Sequence, residues 1–238
     1  MHLTHLLLLL LFSQLTSMSN KPLILYTFWT NNGVKVSTFL EELKGAYSSI
    51  DYDLKSIDIS KGAQKEPWYL KINPKGKIPV LVDRTRNDYV VPESGAILLY
   101  LQQHHDKDNK FGWDPKVNPN EYNEAIQWMF FAYDLGPMQN ELQHSRSIPE
   151  KIPHVEKRYL DQTNRLYGEL EARLSQDRDW LVGSGRGKYS IADMTVLPWV
   201  HFSSYSGVGL DGWLNVKQWL ERIRSRPASA AGLNIGLP

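Results

Sequence analysis

Three short polar segments in the N-terminal half each adjoin a predicted strand and carry residues able to hold a small ligand. They are Thr30–Gly33, Asn73–Pro79 and Pro92–Ile97. In the first and third, short polar side chains adjoin the free amides of a predicted helix N-terminus, which favours an anion. In the second, Pro79 cannot donate to a sheet, and a bend there, with a cis bond before Pro79, would leave Ile78 free to pair with an extended peptide.

Each segment alone has an ordinary structural explanation, because Asn, Thr and Ser are common helix caps and proline is common where a strand begins. Together they indicate one ligand. The Ser94 hydroxyl, as a helix N-cap, and nearby amides suit a carboxylate, Glu93 suits an ammonium, and the Ile78 backbone suits the middle of a peptide. An extended zwitterionic peptide has this chemistry.

Hydrophobic patterning predicts the elements that must position these segments. Strands are predicted over 23–26, 51–59, 78–82 and 89–91. Helices are predicted over 36–43, ending at Gly45, over 96–101, and in a short connection at 68–72. The order β-α-β-(α)-β-β-α implies a right-handed crossover between the first two strands and a hairpin between the last two. The polar segments then meet at strand ends, where open α/β folds bind ligands.

The second half of the chain lacks strand patterns and predicts long helices. Apolar residues recur at helical spacing over 122–133, 155–174, 191–200 and 216–223, and Pro227 is expected to end the last helix. Ser190 and Asp193 form a near capping box with a structural role. The predicted domains are an α/β domain over 20–104, a linker over 105–118 and an all-α domain over 119–238, with residues 1–19 as a leader or extension.

Composition narrows the function classes. The chain has 27 basic and 26 acidic residues, so it lacks the one-signed field that would hold nucleic acid or an anionic membrane. It has no cysteine, which excludes disulfides and a protein thiol nucleophile. Its seven histidines lack the spacing of metal ligands, and no metal site is expected.

The first residues contain an apolar run from Leu6 to Phe12 that is too short to span a bilayer. Its flanks are poor for a secretion signal, and Met18 offers a second start. A leader irrelevant to the mature fold and a cytoplasmic location are therefore favoured. Secretion is the alternative if residues 1–17 act as a signal peptide.

The segment from Leu23 to Gln102 resembles the thioredoxin-like domain of glutathione transferases, and the resemblance extends over about residues 20–230. It is most similar to the bacterial nu class and the fungal nitrogen-regulator-like branch. The resemblance implies the glutathione transferase fold, an α/β thioredoxin-like domain followed by an all-α domain. The strings that carry it are Tyr26–Lys35, Asp58–Gln64, Ile72–Pro79, Glu93–Tyr100, Ser190–Asp193 and Arg222–Pro227.

The resemblance also implies the residues that serve glutathione as a cosubstrate. Thr30 and Asn32 match the polar pair near the glutathione sulfur and are the expected catalytic residues. Ile78 is expected to pair its backbone with the cysteinyl part, ahead of a cis Pro79. The other glutathione-binding residues implied are Gln64, Lys77, Glu93, Ser94 and Arg158.

Asn32 and Thr30 cannot ionise usefully, so they can only donate hydrogen bonds that favour the thiolate of bound glutathione. Such donors lower the thiol pKa from an ordinary value of about 8.5. The nucleophile would then be the cosubstrate itself. Asn31 stands about where serine-type classes have their serine, and Tyr26 lies within the predicted strand, which disfavours a tyrosine-type mechanism.

The predicted function is a glutathione transferase, a glutathione-dependent disulfide reductase, or both, acting in detoxification on a small electrophile or disulfide. Family resemblance further implies a homodimer. Two alternatives are a non-catalytic glutathione-binding regulator and a carrier of hydrophobic ligands. The regulator type has an Asn/Gln-rich arm that is not found before Lys21. The carrier would use an aromatic cleft near Trp128, Phe131 and Tyr133.

Overall fold

The computed structural model describes residues 21–237, so the expectations for the leader lie outside the described residues. The N-terminal part is built on a four-stranded sheet in the order β2-β1-β3-β4. Strands β1 and β2 are parallel, and β3 is antiparallel to both β1 and β4. The predicted crossover between two parallel strands is therefore confirmed, and so is the predicted hairpin. The strands are β1 (Leu23–Thr27), β2 (Tyr52–Ser56), β3 (Val80–Asp83) and β4 (Tyr89–Pro92).

Three helices cover the two faces of this sheet. They are α1 (Asn31–Ala46), α2 (Pro67–Ile72) and α3 (Ser94–His105). Successive side chains of a strand point to opposite faces, and β1 shows this directly. Leu23 and Leu25 enter the main core with α1 and α3, whereas Tyr26 packs on the smaller cluster that contains Tyr69 of α2. The sheet thus contributes to an apolar cluster on each of its two faces.

The C-terminal part is helical, as predicted. Its central helix is apolar almost throughout and is buried along most of its length. The capping box of Ser190 and Asp193 at its start is confirmed. Asp193 also accepts a hydrogen bond from the Trp219 indole at 2.9 Å, and burial raises its pKa to about 6. The helices are α4 (Pro119–Ser147), α5 (Pro153–Leu174), α6 (Ile191–His201), α7 (Leu214–Arg224) and α8 (Pro227–Leu233).

The sequence pattern does not predict helix α8, because a proline after an amphipathic helix is also a stop signal. Proline also suits the first position of a helix, where its missing N–H is not needed, and Pro227 begins α8. Helix α8 packs on α1, and the segment from Leu233 to Gly236 holds the loop that precedes α1. The Trp29 indole donates to the Leu233 carbonyl at 2.9 Å, and the Trp29 backbone N–H donates to the Gly236 carbonyl at 3.1 Å.

Other element boundaries also differ from the predicted ones. Gly45 lies inside α1, which continues to Ala46 and ends where Tyr47 becomes extended. The second strand stops at Ser56, because the Asp58 carboxylate accepts from the Ser60 amide and starts a short 3-10 turn. None of the helices within residues 21–237 is long and apolar enough to cross a bilayer.

Candidate functional site

A polar cavity of about 340 Å³ lies where the sheet meets the first turns of α1 and α3. Five of the eight predicted site residues line it, so the structure brings together residues that are up to 62 positions apart. Two of the remaining lining residues, Asn73 and Lys75, were not among the predicted site residues. The cavity is lined by Asn32, Asn73, Lys75, Lys77, Ile78, Pro79, Glu93 and Ser94.

The floor of the polar cavity is a turn held by hydrogen bonds to one carbonyl. The Tyr69 hydroxyl and the Asn73 side-chain amide both donate to the Lys77 carbonyl at 2.8 Å. The Ile78–Pro79 bond that follows is cis, as expected, and β3 begins only at Val80. Within residues 21–237 the Ile78 backbone has no hydrogen-bond partner. The Ile78 backbone groups are therefore open to pairing with a peptide.

One wall of the polar cavity is formed by Glu93 and Ser94. Ser94 was predicted as the N-cap of α3, but it is the first helical residue, and Glu93 occupies the cap with φ of 73°. A side chain at positive φ is strained, and such strain concentrates at ligand sites. Ser94 is only 4% exposed, at the helix N-terminus that would face a carboxylate. The Glu93 carboxylate meets the Lys75 ammonium at 2.8 Å in an exposed pair, which is weak enough to exchange for a ligand ammonium.

Asn32 forms the opposite wall, and its side-chain oxygen is already occupied. Asn32 Oδ1 accepts from Lys35 Nζ at 3.0 Å and from Ser94 Oγ at 3.4 Å. Sequence reasoning missed Lys35, although its position three residues after Asn32 places the two on one face of α1. Lys35 is 1% exposed, and burial lowers its pKa to about 8.

Thr30, Gln64 and Arg158 are not among the residues that line the polar cavity. The Thr30 hydroxyl is the N-cap of α1, accepting from the Gly33 amide at 3.1 Å. The Gln64 carbonyl lies beside Gly76 in the turn that forms the cavity floor. Arg158 lies on the exposed face of α5.

Tyr26 lies outside the cavity as well. Its ring packs edge-on against Tyr69, with 6.1 Å between ring centroids, and burial raises its pKa.

A second cavity of about 210 Å³, here called the amide cavity, lies on the other side of the α1 N-terminus. It combines the loop after β1 with α4 and with the turn after α6. Asn31 lines the amide cavity, whereas its neighbour Asn32 lines the polar cavity, so the first turn of α1 separates the two. The lining residues are Trp29, Thr30, Asn31, Gln139, Asn140, Gln143, Phe202 and Tyr205.

An apolar groove of about 320 Å³ runs between α3 and α4. Of the aromatic cleft predicted near Trp128, Phe131 and Tyr133, only Tyr133 lines this groove, because the other two rings pack on the core. The groove is lined by Gly95, Ala96, Leu99, Ile126, Met129, Phe130 and Tyr133.

Among the described residues no group of His, Asp or Glu could hold a metal ion.

Comparison with known proteins identifies the family. Residues 21–103 match the family described as Glutathione S-transferase, N-terminal domain, and residues 126–227 match Glutathione S-transferase, C-terminal domain. The chain is 39% identical over 215 residues to Disulfide-bond oxidoreductase YfcG of Escherichia coli (strain K12), covering 88% of this chain and 93% of that protein. It is 28% identical to Protein URE2 of Debaryomyces hansenii, covering 88% and 78% of the two chains.

Solved structures of glutathione transferases are similar to this chain in both fold and sequence. Glutathione transferase URE2P6 from Phanerochaete chrysosporium, in complex with oxidized glutathione, superposes with a TM-score of 0.80 at 35% identity, covering 90% of this chain and 95% of that one. A glutathione transferase homolog from Lodderomyces elongisporus, with two GSH per subunit, gives a TM-score of 0.80 at 32% identity, covering 90% and 99%. The chain therefore belongs to the glutathione S-transferase family, on the branch that includes the URE2-like proteins.

Proposed function

We propose that this protein is a glutathione-dependent enzyme that reduces small disulfides, and conjugates small electrophiles, through the thiolate of bound glutathione. One observation carries the proposal. The Asn32 amide, with its oxygen occupied, lines a cavity suited to an extended peptide, and its neighbour Asn31 lines a second cavity that could hold an acceptor. The names of relatives support this, since YfcG and YghU of Escherichia coli are both called disulfide-bond oxidoreductases.

In the proposed binding mode glutathione lies along the polar cavity. Its γ-glutamyl ammonium meets the Glu93 carboxylate. Its α-carboxylate meets the first amides of α3 and the Ser94 hydroxyl, which turns its single proton from Asn32 Oδ1 to the carboxylate. Its cysteinyl amide and carbonyl pair with the Ile78 backbone. The cysteinyl sulfur then lies near Asn32. Gln64, Lys77 and Arg158 are proposed to complete the site around the rest of the peptide.

The catalytic work proposed for Asn32 is to stabilise a negative charge on sulfur. A donor aimed at the sulfur favours the thiolate over the thiol and lowers the thiol pKa. The Thr30 hydroxyl is proposed to help from the neighbouring turn. Because the chain has no cysteine, no protein thiol takes part in the proposed covalent steps.

Disulfide reduction then proceeds in two balanced steps. The glutathione thiolate attacks one sulfur of the acceptor disulfide, forming a mixed disulfide and releasing the other half as a thiolate. A second glutathione thiolate attacks the mixed disulfide, forming oxidised glutathione and releasing the second thiol. Glutathione supplies both electrons, and the released thiolates take up protons from solvent. In conjugation, the same thiolate attacks an electrophilic carbon and displaces its leaving group.

The amide cavity is the proposed acceptor site. It adjoins the α1 N-terminus and offers aromatic faces from Trp29, Phe202 and Tyr205 beside the amide groups of α4. Such a lining can stack on a planar acceptor and hydrogen-bond its polar groups.

The protein is further proposed to act as a two-fold dimer in the cytosol, in a detoxifying role. The apolar groove between α3 and α4 is a surface that a second copy could cover, and isologous dimers are the commonest oligomers. The cytosol supplies the reduced glutathione that the reaction consumes.

The decisive test is glutathione-dependent reduction of hydroxyethyl disulfide by protein that starts at Met18. Oxidised glutathione is measured as it forms, and a chlorodinitrobenzene acceptor is tested in parallel. Turnover well above the uncatalysed rate, lost in Asn32→Ala, supports the proposal. A wild type that binds glutathione but turns over neither acceptor overturns it and favours a binding protein.

A further inference from the structure

Lys35 is an unusual residue to find in the core. Its side chain is 1% exposed, and among residues 21–237 it has no carboxylate partner. Its ammonium instead lies over two rings, 5.0 Å from the Tyr133 centroid and 5.2 Å from the Trp199 centroid. Burying a cation without an anion is costly, even when aromatic faces offset part of the cost. A methionine would fill the same space at lower cost, so packing alone does not explain a lysine here.

Among the residues that the structure describes, the one hydrogen bond that this ammonium makes is to the Asn32 side chain, at 3.0 Å. A lysine ammonium has three donors and no acceptor, so the amide atom facing it must be the oxygen. The Ser94 hydroxyl donates to the same oxygen at 3.4 Å. Of the two polar atoms in the Asn32 side chain, only the amide nitrogen is then left to face the polar cavity.

We infer that Lys35 is a positioning residue, which locks the Asn32 amide in the orientation that presents N–H donors to the glutathione sulfur. The reverse orientation would present the carbonyl oxygen to the sulfur and repel a thiolate. Both orientations of an asparagine amide have nearly the same shape, so only a donor behind the oxygen selects one. The inference rests on the proposed function, because it assigns Lys35 a task only if Asn32 serves the thiolate.

The variant that tests the inference is Lys35→Met, which keeps the length of the side chain and removes the donor. We expect kcat for disulfide reduction to fall about tenfold, while KM for glutathione changes less than about twofold. Lys35→Arg keeps a cationic donor and is expected to restore kcat to within about threefold of the wild type. Lys44→Met, on the exposed side of the same helix, is the matched control and should leave kcat unchanged.

A double-mutant cycle separates positioning from general damage. If Lys35 acts through Asn32, Lys35→Met should cost less than about twofold when Asn32→Ala is already present. The same tenfold loss in both backgrounds would show that Lys35 acts independently of Asn32 and would overturn the inference.

The pKa of bound glutathione gives a readout that needs no acceptor. The ultraviolet absorbance of the thiolate, followed against pH in the glutathione complex, should report a pKa about one unit higher in Lys35→Met than in the wild type. A rise in Asn32→Ala with no rise in Lys35→Met would overturn the inference and leave the proposed function intact. A wild-type complex whose thiol pKa is not lowered at all would overturn both.

Discussion

The two cavities on either side of the α1 N-terminus are built in different ways. The residues that line the polar cavity all belong to the N-terminal domain. Its chemistry comes from the turn before Pro79, a strained residue at Glu93 and the buried Lys35 behind Asn32. The amide cavity is shared between domains and is lined by side chains of α4 and of the turn after α6. The backbone turn of the polar cavity suits a ligand that is always the same. The side chains that line the amide cavity can be substituted without disturbing the sheet.

This difference predicts that substitutions on the two sides will affect separate kinetic constants. Polar-cavity changes should affect the thiolate and glutathione affinity, and amide-cavity changes should affect only the acceptor. The following experiments test that separation.

The largest effect is expected from Asn32→Ala. A hydrogen bond to a charged group contributes roughly 1.5–3 kcal/mol, so kcat should fall about 10- to 100-fold. KM for glutathione should change less than about threefold, because the donor acts on the thiolate rather than on the peptide. Steady-state kinetics with glutathione and hydroxyethyl disulfide measure both constants. Equal losses in kcat and in glutathione affinity would reduce Asn32 to a binding residue.

The second effect concerns stability and the buried cation. Burial lowers the pKa of Lys35 to about 8 from an ordinary 10.5, so between these values the unfolded chain binds a proton that the native chain does not. Native stability should therefore rise with pH across this window, by an amount of the order of 1–3 kcal/mol. Urea unfolding at pH 7.5 and pH 10 measures it, with Lys35→Met as the reference that lacks this group. Parallel curves for the two proteins would mean that the Lys35 pKa is not lowered.

A third, smaller effect is expected from Ser94→Ala. Loss of the one hydroxyl that we propose to hold the ligand carboxylate should raise KM for glutathione by about tenfold, with kcat changed less than about threefold. Isothermal titration with glutathione gives the affinity directly. Ser147→Ala, at the exposed end of α4, is the control. A selective loss of acceptor affinity would contradict the assignment of the two cavities.

The smallest effect is expected from Tyr205→Ala in the amide cavity. The ring is 61% exposed, so its removal should raise KM for the acceptor by about threefold and leave KM for glutathione unchanged. Tyr89→Ala, another exposed tyrosine that lines neither cavity, serves as the control. A change in glutathione KM alone would mean that the two cavities are not independent.

Local features of the sequence predict the sheet and the three polar segments, and the family resemblance then implies which of their residues form the polar cavity. The strands, the turn before Ile78 and the start of α3 each depend on neighbouring residues, and five predicted site residues meet where expected. Lys35 could not be assigned, because its ring partners Tyr133 and Trp199 belong to another domain. The amide cavity was missed for the same reason. Helix α8 was missed because proline is compatible with both the end and the start of a helix.

The hydrogen bond from the Trp29 indole to the Leu233 carbonyl joins residues 204 positions apart. Contacts of such long sequence separation carry a high loop-closure entropy and usually form after local structure. The loop that leads into Thr30 and Asn32 is therefore expected to be among the last parts of the molecule to become ordered during folding. An isolated α/β domain would contain every residue that lines the polar cavity, yet it would lack the contacts that hold this loop in place.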